Sequence, residues 1–216
     1  MPAEADPPTP PKRSTYRHGN LRNALLDAAL ELAREGGPDA VSLREATRRA
    51  GVSPNAAYRH FADRGELVHG ASQAAMARVA LAMEAEIDAL PAGGDPAARA
   101  RARFRAVGTG YIRFAVTEPG WFRTAFHVPA DMTYAADATA AGAGGLTPFE
   151  LLGAALDGLV DTGVLPSGRR PGAEFLAWSA VHGLASLIID GPLRGVSPEQ
   201  AHEAGQGVID MIERGI

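Results

Sequence analysis

The chain has no cysteine, which removes disulfide staples, thiolate metal ligands and cysteine nucleophiles at once. It has no uninterrupted apolar run of about 18 residues, the length a membrane-crossing helix requires, so no contact with a membrane is expected. Alternation of the strand type is missing over any useful length, so a sheet is not expected. Aromatic residues are scarce, at 6% with two tryptophans, and the few places where they gather therefore stand out. An overall excess of basic charge is also lacking: 21 Lys and Arg face 25 Asp and Glu, for a net charge of −4. The opening MPAEADPPTPPKRSTY is polar and proline-rich without the apolar stretch of a signal peptide. Residues 1–15 are accordingly expected to form a disordered arm, and the protein to be cytoplasmic.

What the total charge conceals is its distribution. From Lys12 to Arg64 there are ten Lys and Arg against six Asp and Glu, a balance of +4, while residues 65–216 carry −6. A basic head on an acidic body is the asymmetry expected of a chain whose one end meets a polyanion. Within the head, Ser42 to Phe61 reads as two short helices around a turn. Ser42 and Glu45 have capping-box spacing, and Leu43, Ala46 and Ala50 fall at helical intervals. Gly51 provides the left-handed residue that ends the first helix, with Val52 as an apolar plug. Ser53 then caps a second helix that has Pro54 at its first position. Such a helix-turn-helix places the N-terminal residues of its second helix against base edges in the major groove. Here these are Ser53, Asn55 and Ala56, with Tyr58, Arg59 and His60 beside the phosphates and Ala57 and Phe61 turned inward. Capped helices joined at a glycine also occur as plain all-α packing, and the basic surroundings favour the DNA reading.

Elsewhere the sequence is punctuated helix by helix. Asn20 is placed to cap a first helix through Leu21, Leu25, Ala28 and Leu32 to Gly36-Gly37-Pro38. Asp63 with Glu66 starts a long helix that runs to Leu90 without a proline and joins head to body. Asp95-Pro96 opens a helix with Phe104, Val107, Tyr111 and Phe114 along one stripe. Its arginines at 99, 101, 103 and 105 read as solvated surface, a second phosphate contact being the alternative. Trp121, Phe122 and Phe126 form an aromatic cluster on a short helix, and Pro129 to Gly145 reads as a mobile loop. Thr147-Pro148 and Glu150 begin another helix. The last two, about Ala173 to Asp190 and from Ser197 onward, carry apolar faces of Phe175, Trp178, His182, Ala185 and Ile189, and of Ala201, Ala204, Gly205, Val208, Ile209 and Ile212. Small residues on the second permit close approach, so the pair suits a four-helix homodimer bundle, with covering of its own core as the alternative. Two heads held about 34 Å apart would read a palindromic operator in double-stranded DNA.

Residues 16 to about 70, and AGVSPNAAYRHF followed by a basic residue above all, resemble the DNA-binding head of the TetR family of transcriptional regulators. The resemblance implies an all-α protein: a three-helix helix-turn-helix head (16–62) joined by the long helix to a helical ligand-binding and dimerisation body (63–216). It implies that Pro54–His60 is the recognition helix and that Arg44 and Tyr58 lie near phosphates. Arg64, where the family usually has lysine, is implied to contact the DNA backbone, and the arm residues Lys12, Arg13 and Arg17 to reach the DNA as well. Trp178, His182 and Gly183 in W-x-x-x-H-G spacing resemble a C-terminal domain of the Trp-His-Gly type. That implies dimerisation through the last two helices and an enclosed small-molecule pocket.

Aromatic side chains on consecutive helices are the candidates to line such a pocket: Tyr111, Phe114, Trp121, Phe122, Phe126 and Trp178, with His127 and His182. Plain core packing is the competing reading of each, and for His182 a hydrogen-bonded core or interface role is preferred. With few basic residues expected to face it, the pocket suits a small hydrophobic effector, uncharged or weakly polar. Its binding would favour an arrangement in which the long helix pivots and the heads lose their operator spacing. The expected protein is a repressor so released; a constitutive DNA binder without effector is the alternative. An enzyme is not expected, since His127 with Asp131 is the one tempting acid/base pair and it lacks a phosphate fingerprint or metal-ligand spacing. No cofactor or metal is expected.

Overall fold

The computed structural model describes residues 18–127 and 137–216, with side chains from Leu21 onward, and its regular elements are all helical. The arm residues Lys12, Arg13 and Arg17, Asp131, and residues 129–136 of the stretch from Pro129 to Gly145 lie outside the described residues. The rest of that stretch is an ordered turn in place of the expected mobile loop, with a 3-10 helix at Ala138–Ala140 and the Ala143 and Gly144 N–H groups donating to the Glu84 carboxylate. Helix α1 spans His18–Ala40 and is broken by non-helical backbone at Gly36 and Gly37. It begins ahead of Asn20, which is therefore inside the helix and not its cap: no proline or β-branched residue in His18-Gly19-Asn20 interrupts the turn. Next come α2 (Leu43–Ala50) and α3 (Pro54–Ala57), then the long α4 (Arg64–Asp88). At 25 residues α4 is about 37 Å long.

The body follows as α5 (Pro96–Thr117), α6 (Pro119–Ala125), α7 (Pro148–Asp161), α8 (Ala173–Ile189) and α9 (Pro198–Gly215). Its helix starts carry the caps that the sequence proposes. Asp63 accepts from the Glu66 N–H, Asp95 from the Ala98 N–H, and Thr147 and Ser197 each complete a reciprocal capping box with Glu150 and Gln200. The pair at Ser42 is only half of one. Ser42 Oγ accepts from the Glu45 N–H at 3.2 Å, but the Glu45 carboxylate turns away to Arg48 and Arg49, a stronger charge-assisted pairing than a return bond to a neutral N–H.

Helices α4 and α5 form the spine of the body, crossing where Gly110 lets the backbones touch: a Cβ there would lie 2.7 Å from Ala82 O. Outside this pair, α7, α8 and α9 cover α5, and the last of these is tied to it by charge. Arg101 pairs with Glu213, and Arg105 reaches Asp210, Glu213 and Gln206. Two of the four arginines read as solvated surface are thus spent on α9, because α5 and α9 lie side by side and bring their charges together; Arg99 and Arg103 remain exposed.

Head meets body through α6, which packs on both α1 and α4. The contact is close at Gly120, where an added Cβ would fall 2.3 Å from Arg34 O and 2.4 Å from Ala33 O. Trp121 beside it donates its indole N–H to Leu30 O at 2.7 Å, with the Arg34 and Arg78 guanidinium carbons 4.9 and 4.3 Å from the ring centre. Arg34 also makes a bidentate pair with Glu118, and Ser72 Oγ on α4 donates to Ala125 O. Since both atoms that would clash at Gly120 are backbone, neither yields. Gly120→Ala should force α6 off α1 and lower stability by about 1–3 kcal/mol, read as a shifted urea midpoint; an unchanged midpoint would show that the joint is loose.

Candidate nucleic-acid interface and aromatic cluster

The two-helix turn is built from local rules. Gly51 sits at φ 68° and ψ 31°, its N–H bonding back to the last turn of α2, and Val52 N–H reaches Thr47 O at 3.0 Å. The reversal carries the chain directly into Ser53 and Pro54. Ser53 holds the extended N-cap backbone but makes no side-chain cap bond, which leaves its hydroxyl uncommitted within the head. Regular α-helix lasts only from Pro54 to Ala57 and continues as tighter turns to Phe61, shorter than the expected Pro54–His60. The reason lies in the anchors: Ala57 and Phe61 are both fully buried, four residues apart, and they pin this short segment against α1 and α4. Burying a Phe contributes about 1.5–3 kcal/mol, enough to hold a four-residue helix that would not form alone.

With those two facing in, Ser53, Asn55, Tyr58 and Arg59 face out, and Ala56 and His60 are half-buried. Tyr58 is 58% exposed, a large aromatic surface to leave in water without a partner. Arg44 on α2 is exposed too, and it and Arg59 have no ion-pair partner among the described residues. Arg48 and Arg49 are committed to Glu45 and Glu35. The hydrogen bond from Arg48 holds the Glu45 carboxyl down to about 2. Arg64, at the first position of α4, is bonded to the end of α1 and the residue after it. Its Nε donates to Val41 O at 2.7 Å and Nη2 to Pro38 O at 2.8 Å, so its guanidinium fork clamps the α1–α2 corner onto the first turn of α4. A lysine could not make that pair of bonds in fixed geometry.

In the body, the aromatic residues separate into two groups. Tyr111, Phe122, Phe126, Trp178 and His182 converge, with ring centres 4.8–6.4 Å apart in the contacting pairs. Phe149, which sequence reading passed over beside the α7 cap, joins them 6.0 Å from Trp178 and also meets Phe175. Phe114 and Trp121 do not join. They stack on each other at 6.4 Å and 11° in the joint with the head. Neighbours on a helix diverge by about 100°, so Trp121 and Phe122 leave α6 toward the head and the body respectively. His127 is exposed. Inside the cluster, Tyr111 Oη lies 2.7 Å from His182 Nδ1 and accepts from Trp178 Nε1 at 3.3 Å. Burial pushes the Tyr111 phenol up and the His182 imidazolium down from their ordinary values. Phe126, Phe149, Trp178 and His182 are half-buried, so one side of the group opens outward.

The faces of α8 and α9 divide between core and surface. Ala185 and Ile189, and Ala201, Gly205, Ile209 and Ile212, are buried and cover the chain's own core. Of the same faces Phe175 (51% exposed) and Ala204 are exposed and Val208 is half-buried, and beside them lie Leu176 (66%), Gly183 and Leu187 (44%) on α8 and Gly207 and Met211 (56%) on α9. Helical spacing alone shows that a face exists and not which partner it meets. No helix among the described residues is long and apolar enough to cross a membrane, and no group of three or more His, Asp or Glu among them is placed to hold a metal.

Comparison with known proteins supplies the context for this geometry. The family model described as bacterial regulatory proteins, tetR family, matches residues 25–71, and that of the tetracyclin repressor-like C-terminal domain matches residues 104–212. A curated relative from Haemophilus influenzae, described as an uncharacterized HTH-type transcriptional regulator, is 49% identical over 47 residues. That match spans 21% of this chain and only 23% of the relative's length. A solved structure of unknown function from Rhodococcus sp. RHA1 matches at TM-score 0.72 and 26% identity, over 94% of this chain and 99% of that one. A TetR-family regulator from Pectobacterium atrosepticum matches at 0.65 and 20%, over 94% and 97%. RolR, solved in complex with resorcinol, matches at 0.61 and 16%, over 90% and 88%. The last two show likeness of fold.

His182 gives the cluster a pH signature. Its folded-state pKa lies below the ordinary 6.5, so the stability tied to the neutral ring is complete above about pH 6.5 and is lost as the pH falls below it. Thermal midpoints of the wild type should therefore fall more steeply between pH 6.5 and 5 than those of His182→Gln; parallel curves would contradict the buried neutral ring.

Proposed function

This chain belongs to the TetR family of bacterial transcriptional regulators, and from that premise we propose that it is a repressor. It binds a palindromic operator as a homodimer and leaves it when a small hydrophobic effector enters the body. The family is one of regulators and not of enzymes. The observation that carries the reading is the exposed start of α3, where Ser53 and Asn55 are uncommitted while Ala57 and Phe61 lock the helix behind them. In that arrangement Asn55 and Ser53 read base edges, while Arg44, Tyr58, Arg59 and His60 hold the phosphates. The arm with Lys12, Arg13 and Arg17 adds further charge next to the DNA. Arg64 serves the same surface by fixing the corner between α1 and α2, with its remaining N–H groups turned to the backbone.

Residues 16–62 act as the reading head and 63–216 as the effector and dimerisation body. The dimer forms through the exposed face of Leu176, Gly183 and Leu187 with Ala204, Gly207, Val208 and Met211, where glycine and alanine let the helices of two protomers approach closely. The effector enters the Tyr111, Phe122, Phe126, Trp178 and His182 cluster. A second solved relative by fold, RolR, binds resorcinol, which supports an aromatic ligand for this kind of body. The switch runs through α6: an effector that displaces Phe122 or Phe126 moves the helix whose other side carries Gly120 and Trp121 against α1 and α4. The coupling needed is about 1–3 kcal/mol.

Salt titrations of operator binding, on duplexes selected from a random library, test the division of labour. Arg44→Ala and Arg59→Ala should each lower the salt slope by about one while leaving base preference unchanged, and Asn55→Ala should relax preference within the half-site. The reverse assignment would overturn the proposed face. For the dimer, Leu176→Asp with Met211→Asp should give monomers in sedimentation while keeping the helical signal; an undisturbed dimer would place the interface elsewhere.

A further inference from the structure

The hydrogen-bond chain in the aromatic cluster has a direction. An indole N–H can only donate, so Trp178 fixes Tyr111 Oη as acceptor at 3.3 Å. The phenol hydrogen must then go elsewhere. Tyr111 is 4% exposed, and the nearest acceptor is His182 Nδ1 at 2.7 Å; a buried hydroxyl left without an acceptor would be strongly disfavoured. Nδ1 is therefore the bare nitrogen of a neutral ring, and the proton sits on Nε2. That second nitrogen has no hydrogen-bond partner among the described residues, and it is not sealed from solvent. Around it stand Phe122 stacked on the ring at 5.7 Å, Phe126 edge-on at 4.8 Å and Trp178 at 5.9 Å. A fixed donor is thus set among aromatic faces on the half-exposed side of the cluster.

We infer that this site selects a neutral aromatic molecule carrying a hydrogen-bond acceptor, such as an aryl ketone, which accepts from His182 Nε2–H while its ring packs against Phe126 and Trp178. The inference rests on the reading of the cluster as the effector site and adds the polarity of its one free polar group. Charge argues for neutrality. Helices α7 and α8 contain no Lys or Arg, and Arg123 on α6 is taken by Asp190 and Ile189 O, so these helices offer no free cation to a carboxylate. Burial also keeps the imidazole from becoming that cation near neutral pH. Tyr111 and Trp178 act as positioning residues: they choose the tautomer and so choose acceptors over donors.

The test uses the full chain with nitrogen-labelled histidine and three probes: acetophenone, isopropylbenzene of nearly the same shape, and benzoate. Proton–nitrogen correlation spectra should show His182 as the Nε2–H tautomer, with its signal moving on addition of acetophenone. Calorimetry should show acetophenone binding about tenfold more tightly than isopropylbenzene, and benzoate more weakly than acetophenone. Tyr111→Phe should bring the acetophenone advantage to within about twofold, since the phenol no longer sets the tautomer. If that variant does not fold, the wild-type tautomer still decides. An Nδ1–H tautomer overturns the inference. Equal binding of acetophenone and isopropylbenzene overturns it while leaving the effector reading intact; tighter binding of benzoate overturns neutrality. If none of the three binds, the effector reading of the cluster falls with it.

Discussion

The seat of Trp121 fixes how the reading head is carried. Two guanidinium groups, one from α1 and one from α4, lie over its ring, and its N–H is bonded to a backbone carbonyl of α1. A buried indole with its donor satisfied joins hydrophobic area to a directional bond, and the carbonyls of Ala33 and Arg34 leave no room beyond a glycine beside it. One residue further on, Phe122 faces Tyr111 and His182. The seven-residue α6 is thus shared by two packing surfaces, and a change at one reaches the other without passing through a flexible segment. Close-packed contacts of this kind shift between discrete arrangements more readily than they stretch, which suits a switch.

Charge organises the surface and not the core. The ion pairs that join Arg34 to Glu118, Arg49 to Glu35 and Arg101 to Glu213 involve partly exposed side chains. Water screens exposed pairs of this kind and they add little to stability, so stability rests on the apolar contacts beneath them. Their effect on function is larger, because pairing withdraws cations from the surface. Among the head's described arginines, Arg22, Arg44 and Arg59 make no ion pair while Arg48 and Arg49 are paired with Glu45 and Glu35. The +4 balance of residues 12–64 is long-range in its effect on a polyanion, whereas a close contact needs individual side chains that the fold leaves unpaired.

Much of this was legible in the sequence where physics is local. Caps at Asp63, Asp95, Thr147 and Ser197, the left-handed Gly51 and the proline at the first position of α3 state the helix boundaries through short-range bonds, and the structure keeps them. Legibility failed where the outcome depended on which surface a side chain met. Trp121 and Phe122 look equivalent as neighbours in an aromatic run, yet the turn of a helix separates them. On α9 the apolar stripe divides: Gly205, Ile209 and Ile212 cover the core while Ala204 stays exposed beside Gly207 and Met211, and periodicity does not separate the two. The bonds from Arg64 to the carbonyls of Pro38 and Val41 join positions more than twenty residues apart, and Phe149 is hidden beside a strong capping signal. Each of these outcomes requires partners distant in the sequence.

The claim on which the account depends is that the aromatic cluster and the reading head are two ends of one equilibrium. Thermodynamic linkage makes this measurable from the ligand side. The affinity of an aromatic ligand that binds the cluster should be determined for the free protein and again for the protein saturated with its selected operator. The account predicts that operator weakens ligand binding by about 5–150-fold, the same factor by which ligand weakens operator binding. Equal ligand affinities with and without operator would contradict it.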